Sequence, residues 1–201
     1  MHRAPAADAV GDGLHVCTDP STIERLEMSR ALNSFRPADK QHVALVAIAA
    51  DPGSCVSLFE DAGRLIAYAA FHPPAETEAR SKRARKLIEL GAVEVDPAYR
   101  GRHLAKRLLA ATFATARFDE AVVFAALYAW HYDRRSTGLG DIEYRRMLED
   151  LYGSVGMHRV ATNDPDMRGN PANALLAYIG PNCASEVVRE FDRLRLRQAS
   201  L

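Results

Sequence analysis

The stretch that most constrains this 201-residue chain runs from Leu90 to Ala105. Leu90-Gly91-Ala92-Val93-Glu94-Val95 reads as the end of a buried strand. It stops at Asp96-Pro97, turns through Arg100-Gly101-Arg102, and feeds directly into a helix that opens at His103 and Leu104. A strand–turn–helix of this kind leaves unpaired backbone N–H groups at the positive end of a helix dipole. That is an anion site made by geometry. Arg100 and Arg102 add full charges, in the residue type that favours bidentate phosphate contacts.

The flanking pattern sets the fold class. Asp19-Pro20 is a helix start, with Asp as N-cap and Pro at the first helical position. Ile23, Leu26, Met28, Leu32 and Phe35 form its apolar stripe and Pro37 ends it. A second helix carries Val43, Val46, Ala47 and Ala50 at helical spacing. Cys55–Glu60 and Arg64–Phe71, joined by Asp61-Ala62-Gly63, predict a hairpin. Lys86–Val95 is a third strand, and a helix follows from about His103 to Phe118. Ala121–Trp130, apolar on both faces, is a central strand. Tyr144, Met147, Leu148, Leu151, Tyr152 and Val155 mark a helix over about 141–155, stopped by Gly156. Two closing strands, His158–Thr162 and Asn173–Ile179, complete the sheet. Strand–helix–strand over 86–130 implies one parallel crossover in a mostly antiparallel sheet. Residues 1–13 read as a flexible leader, 14–182 as one domain, and 183–201 as a C-terminal amphipathic helix on its edge, with Val187, Phe191 and Leu194 inward.

Charge and composition narrow the function. Lys+Arg and Asp+Glu both number 26, so the chain lacks the excess positive charge of a general nucleic-acid binder. The apolar runs fall short of the roughly 20 residues that span a bilayer. No apolar run of a secretory signal follows Met1, so a cytoplasmic protein is expected. Cysteines at 17, 55 and 183 form neither a disulfide framework nor a metal knuckle, and read as three reduced thiols. No metal site is expected: His131 and Asp133 are two ligands without a third. The run from Glu76 to Lys86 is a solvated face or a contact for a substrate or phosphate.

A strand that parts from its neighbour after Val95 could pair its free backbone with an extended amide such as pantetheine. At this point a family resemblance becomes visible. Arg100 to Ala105 resembles the coenzyme-A motif of the GNAT acetyltransferases, Gln/Arg-x-x-Gly-x-Gly/Ala. Arg100 fills the first place, Ala105 fills the last, and His103 stands where the fourth residue should be Gly. The resemblance implies an α/β (α+β) GNAT fold: a mixed, mostly antiparallel central sheet flanked by helices and splayed at the acetyl-CoA site. It makes acetyl-CoA the co-substrate and places Val93, Val95, Arg100, Gly101, Arg102, His103, Leu104 and Ala105 against it. His103 at the Gly position would either crowd the pyrophosphate or donate to it. Trp130-His131-Tyr132-Asp133 and Asn170-Pro171-Ala172-Asn173 are similar to segments of the acetoin-utilisation protein acetyltransferases. These acetylate a lysine of AMP-forming acetyl-CoA synthetase and switch it off.

Acetyl transfer to an amine needs a base, a polarised thioester carbonyl, an acid for the thiolate, and alignment of the two reactants. Glu89 and Glu94 are the candidate bases. Their strand parity is opposite, which predicts that only one faces the site. By resemblance Glu89 matches the base of histone-type members and is preferred, while Glu94 is nearer the thioester. His131 is an alternative base or a lining residue of the acceptor tunnel. Tyr152 is the acid that the resemblance implies. Two other functions stay open: acetylation of a small-molecule amine, and a non-catalytic acyl-CoA-binding regulatory module.

Overall fold

The computed structural model describes residues 13–74 and 86–196. The expected leader up to residue 12, and the charged run before Lys86, lie outside these residues. Among the described residues, eight strands form one sheet: β1 (Leu14–His15), β2 (Glu27–Met28), β3 (Cys55–Asp61), β4 (Arg64–His72), β5 (Leu87–Val95), β6 (Val122–Leu127), β7 (His158–Val160) and β8 (Ala174–Ile179). Their order is β1-β3-β4-β5-β6-β8-β7, with β2 paired beside β4. The β5–β6 and β2–β4 pairs are parallel and the others antiparallel. This is the expected mixed sheet with a parallel crossover. The β3–β4 hairpin closes through Ala62 and Gly63, at φ 49° and 78°. Both values are left-handed, as a two-residue primed turn requires.

One face of the sheet packs against α1 (Pro20–Arg25) and α2 (Ala38–Ala50), through Ile23, Leu32, Leu45, Leu58, Leu65 and Tyr68. On the same face α7 (Ser185–Arg195) places Val187 and Phe191 against Leu87, Val122, Phe124 and Leu175. The other face carries α3 (Leu104–Phe113) and α5 (Asp141–Gly153) over Phe71, Leu90, Val123 and Leu176. Short helices α4 (Arg134–Thr137) and α6 (Pro165–Gly169) follow the central strand and precede β8.

Two features of β5 position the site. First, β5 pairs with β6 only over Leu87–Glu89 against Val122–Phe124. Beyond that point β5 stays with β4 and β6 stays with β8, so the sheet splays open. Second, the β4–β5 register slips between Ala70 and Phe71: Ala70 faces Ala92, but Phe71 faces Leu90. Gly91 is the extra residue of a β-bulge. A Cβ there would lie 2.3 Å from His72 Nε2. The bulge cancels the parity argument. Tyr68 opposes Glu94 and His72 opposes Glu89, and Tyr68, Ala70 and His72 share one face. Glu89 and Glu94 therefore lie on the same face, not on opposite ones.

The first helix is also shorter than its apolar stripe predicts. It ends at Arg25, and Glu27 and Met28 pair in parallel with Arg64 and Leu65. Ile23, Leu26, Met28 and Leu32 are all buried as expected, but sheet pairing overrides helical continuation. In α2 the buried side chains are Gln41 and Leu45, while Val43 is 69% exposed. The small alanines blur the periodicity there, and the inward face is one residue set away from the predicted stripe.

Candidate functional site

A cleft of about 520 Å³ opens where β5 and β6 part. One end is built from a single contiguous stretch. Val93 and Val95 line it from the strand, followed by Tyr99, Arg100, Gly101, His103, Leu104, Ala105 and Lys106. Beyond Glu89 the edge of β5 that faces β6 carries no partner strand among the described residues. Its backbone groups are thus available to an extended ligand. The first amides of α3 have no intrahelical acceptors. His103 is the N-cap and makes no side-chain cap hydrogen bond, so these amides stay open toward the cleft.

The backbone explains the glycine pattern of this turn. Gly101 has φ +78° and His103 has φ +56°, both left-handed. A glycine adopts such a conformation freely, whereas a side chain costs about 1–2 kcal/mol. His103 is therefore strained where the family motif has Gly, and its ring is exposed at the cleft edge. Arg100 lines the cleft but reaches across it. Its guanidinium pairs with Asp133 at 2.8 Å and also donates to Ser136 Oγ. Hydrogen bonds from Ser136, and then from Arg100, hold the Asp133 carboxyl below the usual range. Arg102 lies over the Tyr99 ring at 5.0 Å and is not part of the cleft lining.

The other end is assembled from distant segments. Glu94, 6% exposed, accepts from the Ser34 backbone N–H at 2.8 Å and from Tyr68 Oη at 2.8 Å. Each carboxylate oxygen keeps a second lone pair, so the group is oriented without being saturated. Burial and the neighbouring Glu94 charge push the Tyr68 phenol well above its ordinary range, so Tyr68 stays a donor. Phe35 and His131, which line the same cleft, meet edge to face with ring centroids 5.8 Å apart. Tyr128 and Trp130 stack at 4.2 Å beside them. The Asn170–Asn173 segment braces this corner. Asn173 Oδ1 accepts from the Ala129 N–H at 2.8 Å, and Tyr132 donates to the Ala172 carbonyl at 2.7 Å.

The predicted site residues divide accordingly. Glu94, His131, Val93, Val95, Arg100, Gly101, His103, Leu104 and Ala105 all line the cleft. Glu89 does not: it shares Glu94's face but sits below the point where the strands part. Tyr152 does not line it either. It is 5% exposed and packed in the core, where burial raises its phenol. Tyr144, two turns earlier on the same helix, does line the cleft. It stacks on Tyr132 at 4.7 Å, and burial raises its phenol too, which keeps it protonated. The α5 stripe that reads as uniformly core is part core and part cleft wall, with Tyr144, Met147, Leu148 and Leu151 on the cleft. Ser34, Phe35, Tyr68 and Asp133 were not singled out as site residues by the sequence. Phe35 reads there as helix stripe, and Asp133 as half of a rejected metal pair. Among the described residues no cluster of metal-ligating side chains occurs.

Comparison with known proteins places this geometry. Residues 22–133 match the model of the acetyltransferase (GNAT) family. The acetoin utilization protein AcuA of Bacillus licheniformis is 35% identical over 177 residues, covering 88% of this chain and 84% of that protein. The crystal structure of an acetoin utilization protein from Exiguobacterium sibiricum superposes with a TM-score of 0.85 at 31% identity, covering 92% of this chain and 88% of the other. At the level of fold alone, a phosphinothricin acetyltransferase from Sinorhizobium meliloti, solved in complex with acetyl-CoA, gives a TM-score of 0.54 at 13% identity, covering 86% and 90%.

Proposed function

This chain belongs to the acetyltransferase (GNAT) family and is an N-acetyltransferase, and from that premise we propose that it moves the acetyl group of acetyl-CoA onto a lysine of an AMP-forming acetyl-CoA synthetase. The acetyl-CoA phosphates sit on the open amides between Gly101 and Lys106, with Arg100 released from Asp133 to meet them. Pantetheine runs along the free edge of β5 past Val95 and Val93, which brings the thioester to the gap. There the backbone N–H groups of that edge polarise the carbonyl as charge develops on its oxygen.

The lysine enters past the Phe35–His131 pair on the cleft wall. Aromatic faces favour an approaching ammonium. Its reference pKa of about 10.4 means that attack at neutral pH requires loss of a proton. Glu94 takes that proton, directly or through one water. The neutral amine then attacks the thioester carbon, the C–S bond breaks, and the leaving thiolate is protonated by Tyr144. The observation that carries this reading is the position of the buried Glu94 carboxylate in the wall of the gap, held by Ser34 and Tyr68. The named synthetase is supported by the resemblance of the 130–133 and 170–173 segments, which pack together here, and by the names of the relatives. The cell compartment proposed with it is the cytoplasm.

The test is mass spectrometry of an acetyl-CoA synthetase after incubation with this protein and labelled acetyl-CoA. Label on one lysine, with matching loss of synthetase activity, is expected. Efficient acetylation of a free amine such as spermidine, with no lysine modified, would replace the protein substrate by a small molecule.

A further inference from the structure

The three cysteines look isolated along the chain, yet two of them meet. Cys17 and Cys55 are 38 positions apart, and their Sγ atoms lie 2.6 Å from each other. The contact is fixed by backbone rather than by side-chain chance. The segment after β1 runs alongside β3: the Thr18 N–H donates to the Val56 carbonyl at 2.7 Å, and the Cys17 N–H donates to Ser57 Oγ at 3.2 Å. Cys17 is held at φ +49°, a left-handed conformation that a non-glycine residue adopts at a cost. That conformation belongs to the segment which carries its thiol to Cys55. Cys55 is buried at the start of β3, while Cys17 is half-exposed.

We propose that Cys17 and Cys55 form a reversible dithiol–disulfide site that responds to peroxide. Cys17 is the attacking thiol and Cys55 the resolving one. The hydrogen bond from Cys55 pulls the Cys17 thiol down, with a further contribution from Arg117, which favours its thiolate. The same contact and burial push Cys55 up, which keeps its proton on sulfur until it reacts. The Cys17 thiolate attacks one peroxide oxygen, the O–O bond breaks, and hydroxide leaves, giving a sulfenic acid. The Cys55 sulfur then attacks the Cys17 sulfur and displaces the oxygen as water, with Cys55 supplying a proton. Two thiols lose two electrons in all, and one peroxide is reduced to two waters.

The site has a structural consequence because of what lies between its ends. Residues 18–54 include α1, β2 and α2, together with Ser34 and Phe35 on the acceptor wall of the cleft. A link from Cys17 to Cys55 closes that stretch into a loop and restricts its excursions from the sheet.

The experiment treats the reduced full-length protein with a few equivalents of hydrogen peroxide, and then with dithiothreitol. The expected result is a mass loss of about 2 Da, a peptide map joining Cys17 to Cys55, and free Cys183, all reversed by the reductant. The same result is expected in Cys183→Ser. The linked form should melt higher by roughly 10 °C and should show slower hydrogen exchange across α1 and α2. Further oxidation of Cys17 to sulfinic acid with Cys55 still alkylatable after unfolding, or linkage only between molecules through Cys183, would overturn the proposal. A Cys17–Cys55 link that changes neither melting nor exchange would overturn the tethering role.

Discussion

The two ends of the cleft are built in different ways. The end formed by Val93, Val95 and residues 99–106 comes from one continuous strand, turn and helix, and it acts mostly through backbone: strand-edge groups, the amides of α3, and two left-handed residues. The other end draws on four separate stretches, around Ser34 and Phe35, Tyr68, Glu94, and His131 to Asp133, and it acts mostly through side chains. A backbone site tolerates substitution wherever the dihedral angles survive. A side-chain site fails when one functional group is lost. Under the proposed function, the first end takes the coenzyme and the second sets acceptor choice and proton transfer.

The largest expected effect falls on the side-chain end. Glu94→Gln keeps the shape, and it should lower turnover by about 10²–10⁴ while acetyl-CoA affinity stays within about two-fold. Steady-state kinetics with calorimetry would show this. Glu89→Gln should cost little, and an equal loss there would break the distinction between the two carboxylates. Tyr144→Phe comes next, with a turnover loss of about 10² and no loss of fold, whereas Tyr152→Phe should leave turnover nearly intact. The reverse order would return the acid role to Tyr152.

Effects at the backbone end should appear in binding. Arg100→Ala removes a charged phosphate contact worth about 1.5–3 kcal/mol, and it should weaken acetyl-CoA binding by about 10–100-fold in calorimetry. Asp133→Asn retains an α4 cap and removes the competing charge, so it should raise affinity by a few-fold. If both changes left affinity unaltered, Arg100 would belong to the α4 contact alone. The smallest effect is His103→Gly. Relief of left-handed strain of about 1 kcal/mol should raise the melting temperature by about 2–4 °C. A lower melting temperature would show that the imidazole contributes more than its backbone strain costs.

The contrast between the two ends also explains what could be read from the chain in advance. Strand, Asp-Pro break, Arg-Gly-Arg turn and helix are contiguous, so the strand, turn and helix of residues 93–105 could be placed without a structure, as could the hairpin at Asp61–Arg64. The acceptor end depends on what sheet pairing brings together. The early end of α1 follows from pairing of Glu27 and Met28 with β4, which no local propensity encodes. Ser34 reaches Glu94 across 60 positions. The error over Glu89 and Glu94 had a visible cue, since an isolated Gly inside a strand pattern, here Gly91, often marks a bulge. One extra residue was enough to turn the parity argument around. Tyr144 and Tyr152 sit on one helical stripe. Periodicity tells that such a stripe faces inward but not where the core gives way to a cleft.

The most direct measurement is a crystal structure of the protein with acetyl-CoA bound. The account predicts the pyrophosphate on the amides between Gly101 and Lys106. It also predicts pantetheine along the free edge of β5, and the acetyl group in the gap between β5 and β6 beside Glu94, facing the Phe35–His131 pair. An acetyl group beside Glu89 and His72, or a coenzyme that leaves the 101–106 amides empty, would contradict it.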